Sequence, residues 1–330
     1  MTGTLPWVAF GVGVAVLLAL DLFVINRGEK ILTVKQALWW SAFWIALAFL
    51  FAGFVWWWQG GGMAKEFVAA YLVEKSLSVD NIFVFLLVFT ALGIGPGHQH
   101  KVLFLGIFGA IVLRLLFILG GLALLEHFSW TMYIFGALLI FTAVRMWKSE
   151  ETTIDLEKNP IVRFAGKHLA LDCSYKGHAF LTRVNGKLLF TPLVLALLAI
   201  ESADIVFAVD SVPAVLAISL HPFIAFSSNV FAILGLRSLY FALAGCMNRF
   251  AYLHYGLAAI LGVVGIKMII AEWYHVPTAV ALGFIAVALT VSIVVSILKT
   301  RREGCEIAPV MELDDLPAVS SREAAKQTTT

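Results

Sequence analysis

The chain has 330 residues, 61% of them hydrophobic and only 13% charged, about half the charged share of an ordinary soluble domain. With a mean hydropathy of +0.93 this excludes a soluble globular protein, because apolar surface must face lipid as well as a core. The formal net charge of +2 decides little alone. The positions of the basic residues decide more, and no nucleic-acid partner is expected.

Taken in chain order, stretches near the roughly 20 apolar residues that span hydrocarbon recur nine times. They lie at about 6–26, 38–58, 67–91, 102–125, 130–147, 189–218, 223–246, 251–271 and 277–298. The first lacks a basic leader region and a small-residue cleavage site, so it reads as a retained helix. Helices and closed barrels alone satisfy their backbone in lipid, and continuous runs of Leu, Ala and Gly do not show the alternation of a barrel. Trp39, Trp40, Trp44, Trp56, Trp57 and Trp58 crowd the second span and read as an interfacial belt. Between spans five and six, residues 148–187 are polar and long enough for a small subdomain. The tail from 299 to 330 is expected to be disordered.

Orientation follows from Lys and Arg in the loops. Arg27, Lys30, Lys35, Lys101, the seven basic residues of 148–187, Arg249, Lys299, Arg301 and Arg302 all fall on one side when nine helices are counted. Lys65 is the only basic residue in the alternate loops. The expectation is a multi-pass protein of a bacterial inner membrane, N-terminus outside and C-terminus cytoplasmic. Cys173, Cys246 and Cys305 lie far apart with no CxxC pair, which offers neither a disulfide framework nor a thiolate metal site.

An internal repeat organises the spans. Glu74-Lys-Ser-Leu-Ser-Val-Asp80-Asn81-Ile82 echoes Asp204-Ile-Val-Phe-Ala-Val-Asp210-Ser211-Val212. Ala110-Ile-Val-Leu-Arg114 echoes Ile233-Leu-Gly-Leu-Arg237, and Tyr133 stands before Arg145-Met146 as Tyr255 stands before Lys267-Met268. A second register, pairing Asp80-Asn-Ile-Phe with Asp204-Ile-Val-Phe, matches one acid rather than two. Three helices per unit is odd, so the second unit enters the membrane upside down, an arrangement that recurs in transporters. The expected fold is all-α, nine transmembrane helices with inverted repeats in helices 3–5 and 6–8. The domains are two N-terminal spans (1–58), the first repeat (67–147), the cytoplasmic loop (148–187), the second repeat (189–271), a final span (277–298) and the tail.

Glu74, Asp80, Glu201, Asp204 and Asp210 all fall within spans. An Asp at the centre of a helix costs about 2.5–3.5 kcal/mol to insert, so five facing lipid would cost on the order of 10 kcal/mol. They must line an interior cavity, pair with cations or carry protons. On a regular helix Glu74, Ser78 and Asn81 share a face and Asp80 lies about 120° away. Glu201 and Asp204 are neighbours and Asp210 points elsewhere. Pro213 offers a remedy: a break just after Asp210 turns that carboxylate inward and frees a carbonyl, against the plainer reading of an ordinary kink. Asn81 and Ser211 add neutral oxygens. Arg114 and Arg237 sit deep enough to pair with the acids, Arg145, Lys267 and Lys75 read as snorkelling, and Asn229 reads as an interhelical hydrogen-bonding residue. Hard oxygen ligands select Mg²⁺, Ca²⁺ or Mn²⁺. No nucleophile–base pair, zinc motif or phosphate loop points to an enzyme, and no permanently bound cofactor is expected.

The acidic motifs, together with Ser228-Asn229-Val-Phe-Ala-Ile-Leu-Gly-Leu-Arg237, closely resemble those of the TerC family through about residue 298. Within it the chain is most similar to the bacterial alkaline-inducible, manganese-exporter branch. The resemblance implies that the five acids are transport residues, and that the ion is Mn²⁺. Two functions follow as expectations: a Mn²⁺ exporter working by alternating access, with protons as an open coupling partner, or a non-transporting membrane factor that assists biogenesis or metallation of secreted or membrane proteins.

Overall fold

The computed structural model describes residues 4–21, 33–128, 130–148, 179–184, 187–244, 253–271, 273–274 and 276–302. The described residues are almost wholly helical. In order come α1 (Thr4–Leu20), α2 (Val34–Gln59), α3 (Gly61–Ala91), α4 (Pro96–His127) and α5 (Thr131–Lys148). A short antiparallel hairpin follows, β1 (Leu181–Val184) with β2 (Lys187–Phe190), Leu181 opposite Phe190. Then come α6 (Pro192–Leu216), α7 (Pro222–Ile233), α8 (Leu236–Ala244), α9 (Leu253–Ile270) and α10 (Thr278–Arg302). Counting α7 and α8 as halves of one broken rod, nine helices stand among the described residues.

Local chemistry sets the helix starts. Thr33 caps α2 in a reciprocal box with Gln36. Prolines open α4, α6 and α7, where a missing N–H costs nothing. Among the described residues, five segments are long and apolar enough to cross a membrane: Val34–Gln59, Gly97–His127, Pro192–Leu216, Pro222–Leu243 and Thr278–Ser296. Thr4–Leu20 and His254–Ile270 are apolar but shorter. The 31 residues of α3 have the length, but Lys65, Glu66, Glu74, Lys75 and Asp80 interrupt its apolar character.

The bundle is turned inside out relative to a soluble one. Val8, Leu50, Phe108, Leu116 and Val287 are exposed on its outer faces, as expected where lipid is the solvent. The helix start Pro222 apart, α7 is buried nearly throughout, from Phe223 to Ile233, and forms a central post. Around it α3 packs on α7 and α6, α4 packs on α6 and α7, and α5 lies along α9. At the α5–α9 contact a Cβ built on Gly265 would stand 2.9 Å from the Gly136 carbonyl oxygen. Small residues let these two backbones touch, a usual device between membrane helices.

Several expectations change. Trp44 does not belong to an interfacial belt: it is 2% exposed, while Trp39, Trp56 and Trp57 are exposed. The seventh span is not one helix. It breaks at Leu234–Gly235, with Gly235 at φ +79°, and a Cβ there would lie 2.6 Å from the Trp44 ring. Conversely α6 does not break after Asp210. It runs through Pro213 to Leu216, because a proline in the final turn removes a single amide without opening the helix. Residues 189–190 belong to the hairpin, and α10 continues to Arg302, past the expected end at 298. The remainder of the 148–187 loop, apart from its boundary residue Lys148 and the residues at the hairpin, and the tail beyond 302 lie outside the described residues.

The Gly235 contact generates a prediction. Gly235→Ala incurs both a left-handed backbone cost of about 1–2 kcal/mol and an overpacking cost of about 1–3 kcal/mol against Trp44. Gly93→Ala, at φ +62° with open space around it, incurs only the first. Thermal unfolding of the detergent-solubilised protein should separate the two, and equal losses would remove the role given to Trp44.

Candidate functional site

Three helices bring their buried polar residues to one side chain. Arg114, in the middle of α4 and 1% exposed, forms an ion pair with Glu74 of α3 and another with Asp204 of α6 at 3.2 Å. Its Nη1 donates to Ser211 Oγ at 3.0 Å and to Asn229 Oδ1 of α7 at 3.3 Å. The register explains the convergence. Glu74, Ser78 and Asn81 recur at intervals of four and three residues on α3, and all three are buried. Asp204 and Ser211 are seven residues apart on α6, two turns along the same face. Only a guanidinium has the planar fork of donors to hold so many oxygens at once.

Beside this cluster lies a cavity of about 10 Å³ between α3, α4, α6 and the α7/α8 break. Asn81, Ala110 and Asp204 line it, with Ile233 and Leu236 on either side of the break. Asn81 Oδ1 and Asp204 Oδ2 have no hydrogen-bond partner among the described residues. Two buried oxygen acceptors thus border a space of single-water or single-ion size, a situation that requires an explanation in any native protein.

The other expected residues lie elsewhere. Glu201, one turn before Asp204, is half-buried with its carboxylate against Gly109 of α4, where any Cβ would collide with it. Asp210 stays about 120° round α6 from Asp204, because the helix is regular there. It accepts a hydrogen bond from Thr142 Oγ1 of α5 at 2.9 Å. Among the described side chains, the acid that Arg237 pairs with is Asp21. Arg237 Nη2 pairs with Asp21 Oδ2 at 3.0 Å and donates to the Asp21 carbonyl at 2.9 Å. Asp80 belongs to α3, but its side chain lies outside the described residues. No cluster of three or more His, Cys, Asp or Glu suited to a metal stands among the described residues. Among the described side chains, the candidate site is built on Asn81 and Asp204 beside Arg114.

Two lysines also depart from expectation. Lys75 does not snorkel: its Nζ donates to the Ala232 carbonyl at the end of α7, 3.1 Å away. Lys267 does the same to Ala217, the C-cap of α6, at 3.1 Å. Helix C-termini carry unpaired carbonyls and partial negative charge, and cations settle there. Sequence reading also missed Asp21, although a signal was present: it is the only charged residue in the first apolar run, Leu5 to Ile25. Thr142 carried no comparable signal.

Comparison with known proteins adds a lineage. The profile described as "Integral membrane protein TerC family" matches residues 59–304. The chain is 44% identical over 308 residues to an uncharacterised membrane protein of Myxococcus xanthus, STKORF319, covering 93% of this chain and 95% of that protein. It is 43% identical over 301 residues to a protein of Escherichia coli K12 provisionally named membrane-bound redox modulator Alx, covering 88% and 94%. A membrane protein of Rickettsia felis is 37% identical over 295 residues, covering 89% and 98%. No solved structure matches the chain.

Removing Arg114 should leave two buried carboxylates facing one another. Arg114→Ala is expected to cost about 3–5 kcal/mol, the usual result of orphaning a buried charge. Arg114→Ala combined with Glu74→Gln should recover part of that loss, because one orphan disappears. A double-mutant cycle by thermal unfolding checks this, and strictly additive losses would contradict the pairing.

Proposed function

Because the chain belongs to the TerC family of integral membrane proteins, we propose that it moves a divalent cation across a bacterial inner membrane, and that the ion is Mn²⁺ travelling outward. One observation carries the reading: Asn81 Oδ1 and Asp204 Oδ2, both buried and unpartnered among the described residues, line one ion-sized cavity. Buried acceptors with no donor attract a cation, and oxygen donors favour the hard ions Mg²⁺, Ca²⁺ and Mn²⁺. The choice of Mn²⁺ among them comes from the family resemblance. Arg114 holds Glu74 and Asp204 together when no ion is present. The incoming ion takes the free oxygens, with Glu201 one turn away as a further carboxylate on the path.

Alternating access about inverted repeats suits this arrangement. The packing has the exchange expected of a two-fold relation between α3–α5 and α6–α9. As α3 lies on α7, so α6 lies on α4, while α5 and α9 pack on each other. A broken helix beside the cavity is a further feature of such transporters. The clustering of basic loop residues on one side supports nine crossings, with the N-terminus outside and the C-terminus in the cytoplasm. Exchange of metal for protons is the coupling this reading favours, since carboxylates serve both ions. The redox role in the name of the Escherichia coli relative has no CxxC pair to carry it in this chain.

Asp204→Asn and Asn81→Leu should each lower Mn²⁺ export by about ten-fold or more, the effect of losing one ligand or charge-assisted contact, with insertion unchanged. Sided flux in vesicles with Mn²⁺, Ca²⁺, Mg²⁺ and Zn²⁺, with and without a pH gradient, measures this. Wild-type flux in Asp204→Asn rejects metal transport through this site.

A further inference from the structure

Lys75 sits next to Glu74 in the middle of α3, and its ammonium is held by a backbone carbonyl rather than by a carboxylate. That carbonyl, Ala232, belongs to the last turn of α7, just before the break at Leu234–Gly235. The same turn region forms the site. Asn229 accepts from Arg114, and Ile233 and Leu236 line the cavity together with Asn81 and Asp204. The C-terminal end of a half-helix within a membrane is a place where transporters coordinate cations, because its last carbonyls lack helical partners. Here a cation already occupies it, attached to the protein by four methylenes.

Among the described side chains, Glu74 and Asp204 pair with Arg114, Glu201 stands one turn from Asp204, and Lys75 adds a second cation beside them. A divalent ion entering beside Asp204 adds two positive charges near an ammonium, and like charges in a poorly hydrated site repel strongly. Arg114 is held in place by four partners. Lys75 has the single acceptor Ala232 among its described contacts and a flexible stem, so of the two cations it is the one able to withdraw.

We propose, resting on the transport reading above, that Lys75 is a tethered competitor for the transported cation. Its ammonium occupies the Ala232 carbonyl in the empty protein, and the ion takes that carbonyl as it enters. When the ion leaves, the ammonium returns, so the empty site reorients with that carbonyl satisfied. Lys75 thus speeds release and return at the expense of affinity, whereas a lysine serving only as a helix cap would do neither.

Full-length protein titrated with Mn²⁺ in detergent, then assayed for Mn²⁺ flux in vesicles, tests this. Lys75→Gln keeps a donor and removes the charge. It should bind Mn²⁺ on the order of ten-fold more tightly, since one nearby positive charge is gone, and transport it more slowly at saturation. Lys75→Arg keeps the charge and should bind no more tightly than wild type. Weaker or unchanged Mn²⁺ affinity in Lys75→Gln overturns the proposal while leaving transport intact. If Lys75→Gln fails to insert, Lys75→Arg decides: tighter binding overturns the proposal, and affinity at or below wild type upholds it. No Mn²⁺ binding by wild type or either variant removes the transport reading and this proposal with it.

Discussion

Arg114 is the group about which the interior is arranged. A guanidinium in the middle of a membrane helix is tolerable only when its charge and donors are met by protein, and here Glu74, Asp204, Ser211 and Asn229 meet them. Those partners come from α3, α6 and α7, so one side chain fixes the rotation of three helices relative to the fourth. Apolar packing cannot do this alone. Helices that are hydrophobic all round fit against one another in several rotations, and in lipid no hydrophobic force chooses among them. The polar cluster supplies the choice.

The same constraint produces the cavity. Arg114 engages Oδ1 of Asp204 and leaves Oδ2 without a donor, and Asn81 presents its Oδ1 from the next helix likewise unmet. The break in the seventh rod lies beside them because Gly235 admits a left-handed backbone and because Trp44 fills the space a side chain would need. An aromatic ring from α2, a glycine and an arginine thus act together: the ring and glycine open the helix, the arginine gathers the acids. The second arginine does different work. Arg237 binds Asp21 at the end of α1, so that helix is tied to the broken rod.

What was legible in the sequence was whatever depends on local period. The spacing of Glu74, Ser78 and Asn81 gave their common face, and regular α6 geometry put Asp210 away from Asp204, as it stands. The error lay in giving Pro213 the power to reverse that. Its position in the final turn, visible only once the helix end at Leu216 is known, makes it a terminator rather than a hinge. The real break, at Gly235, lay inside Ile233-Leu-Gly-Leu-Arg237, where the glycine counted only as part of a repeat. Lys75 and Lys267 depart from the hydropathy expectation for a related reason. Hydropathy sends a lysine to the interface, but a broken or ending helix offers carbonyls inside, and sequence does not announce where those ends meet another helix. The Asp21–Arg237 pair joins residues 216 positions apart, beyond the reach of any period.

The central claim is that a cation binds between Asn81 and Asp204 at the side of Arg114. Anomalous diffraction at the manganese edge, from crystals of the full chain grown with Mn²⁺, tests it most directly. The account predicts a single intramembrane peak within ligand distance of Asn81 Oδ1 and Asp204 Oδ2. A peak at Asp210 and Thr142 instead, or none inside the membrane at saturating Mn²⁺, would contradict it.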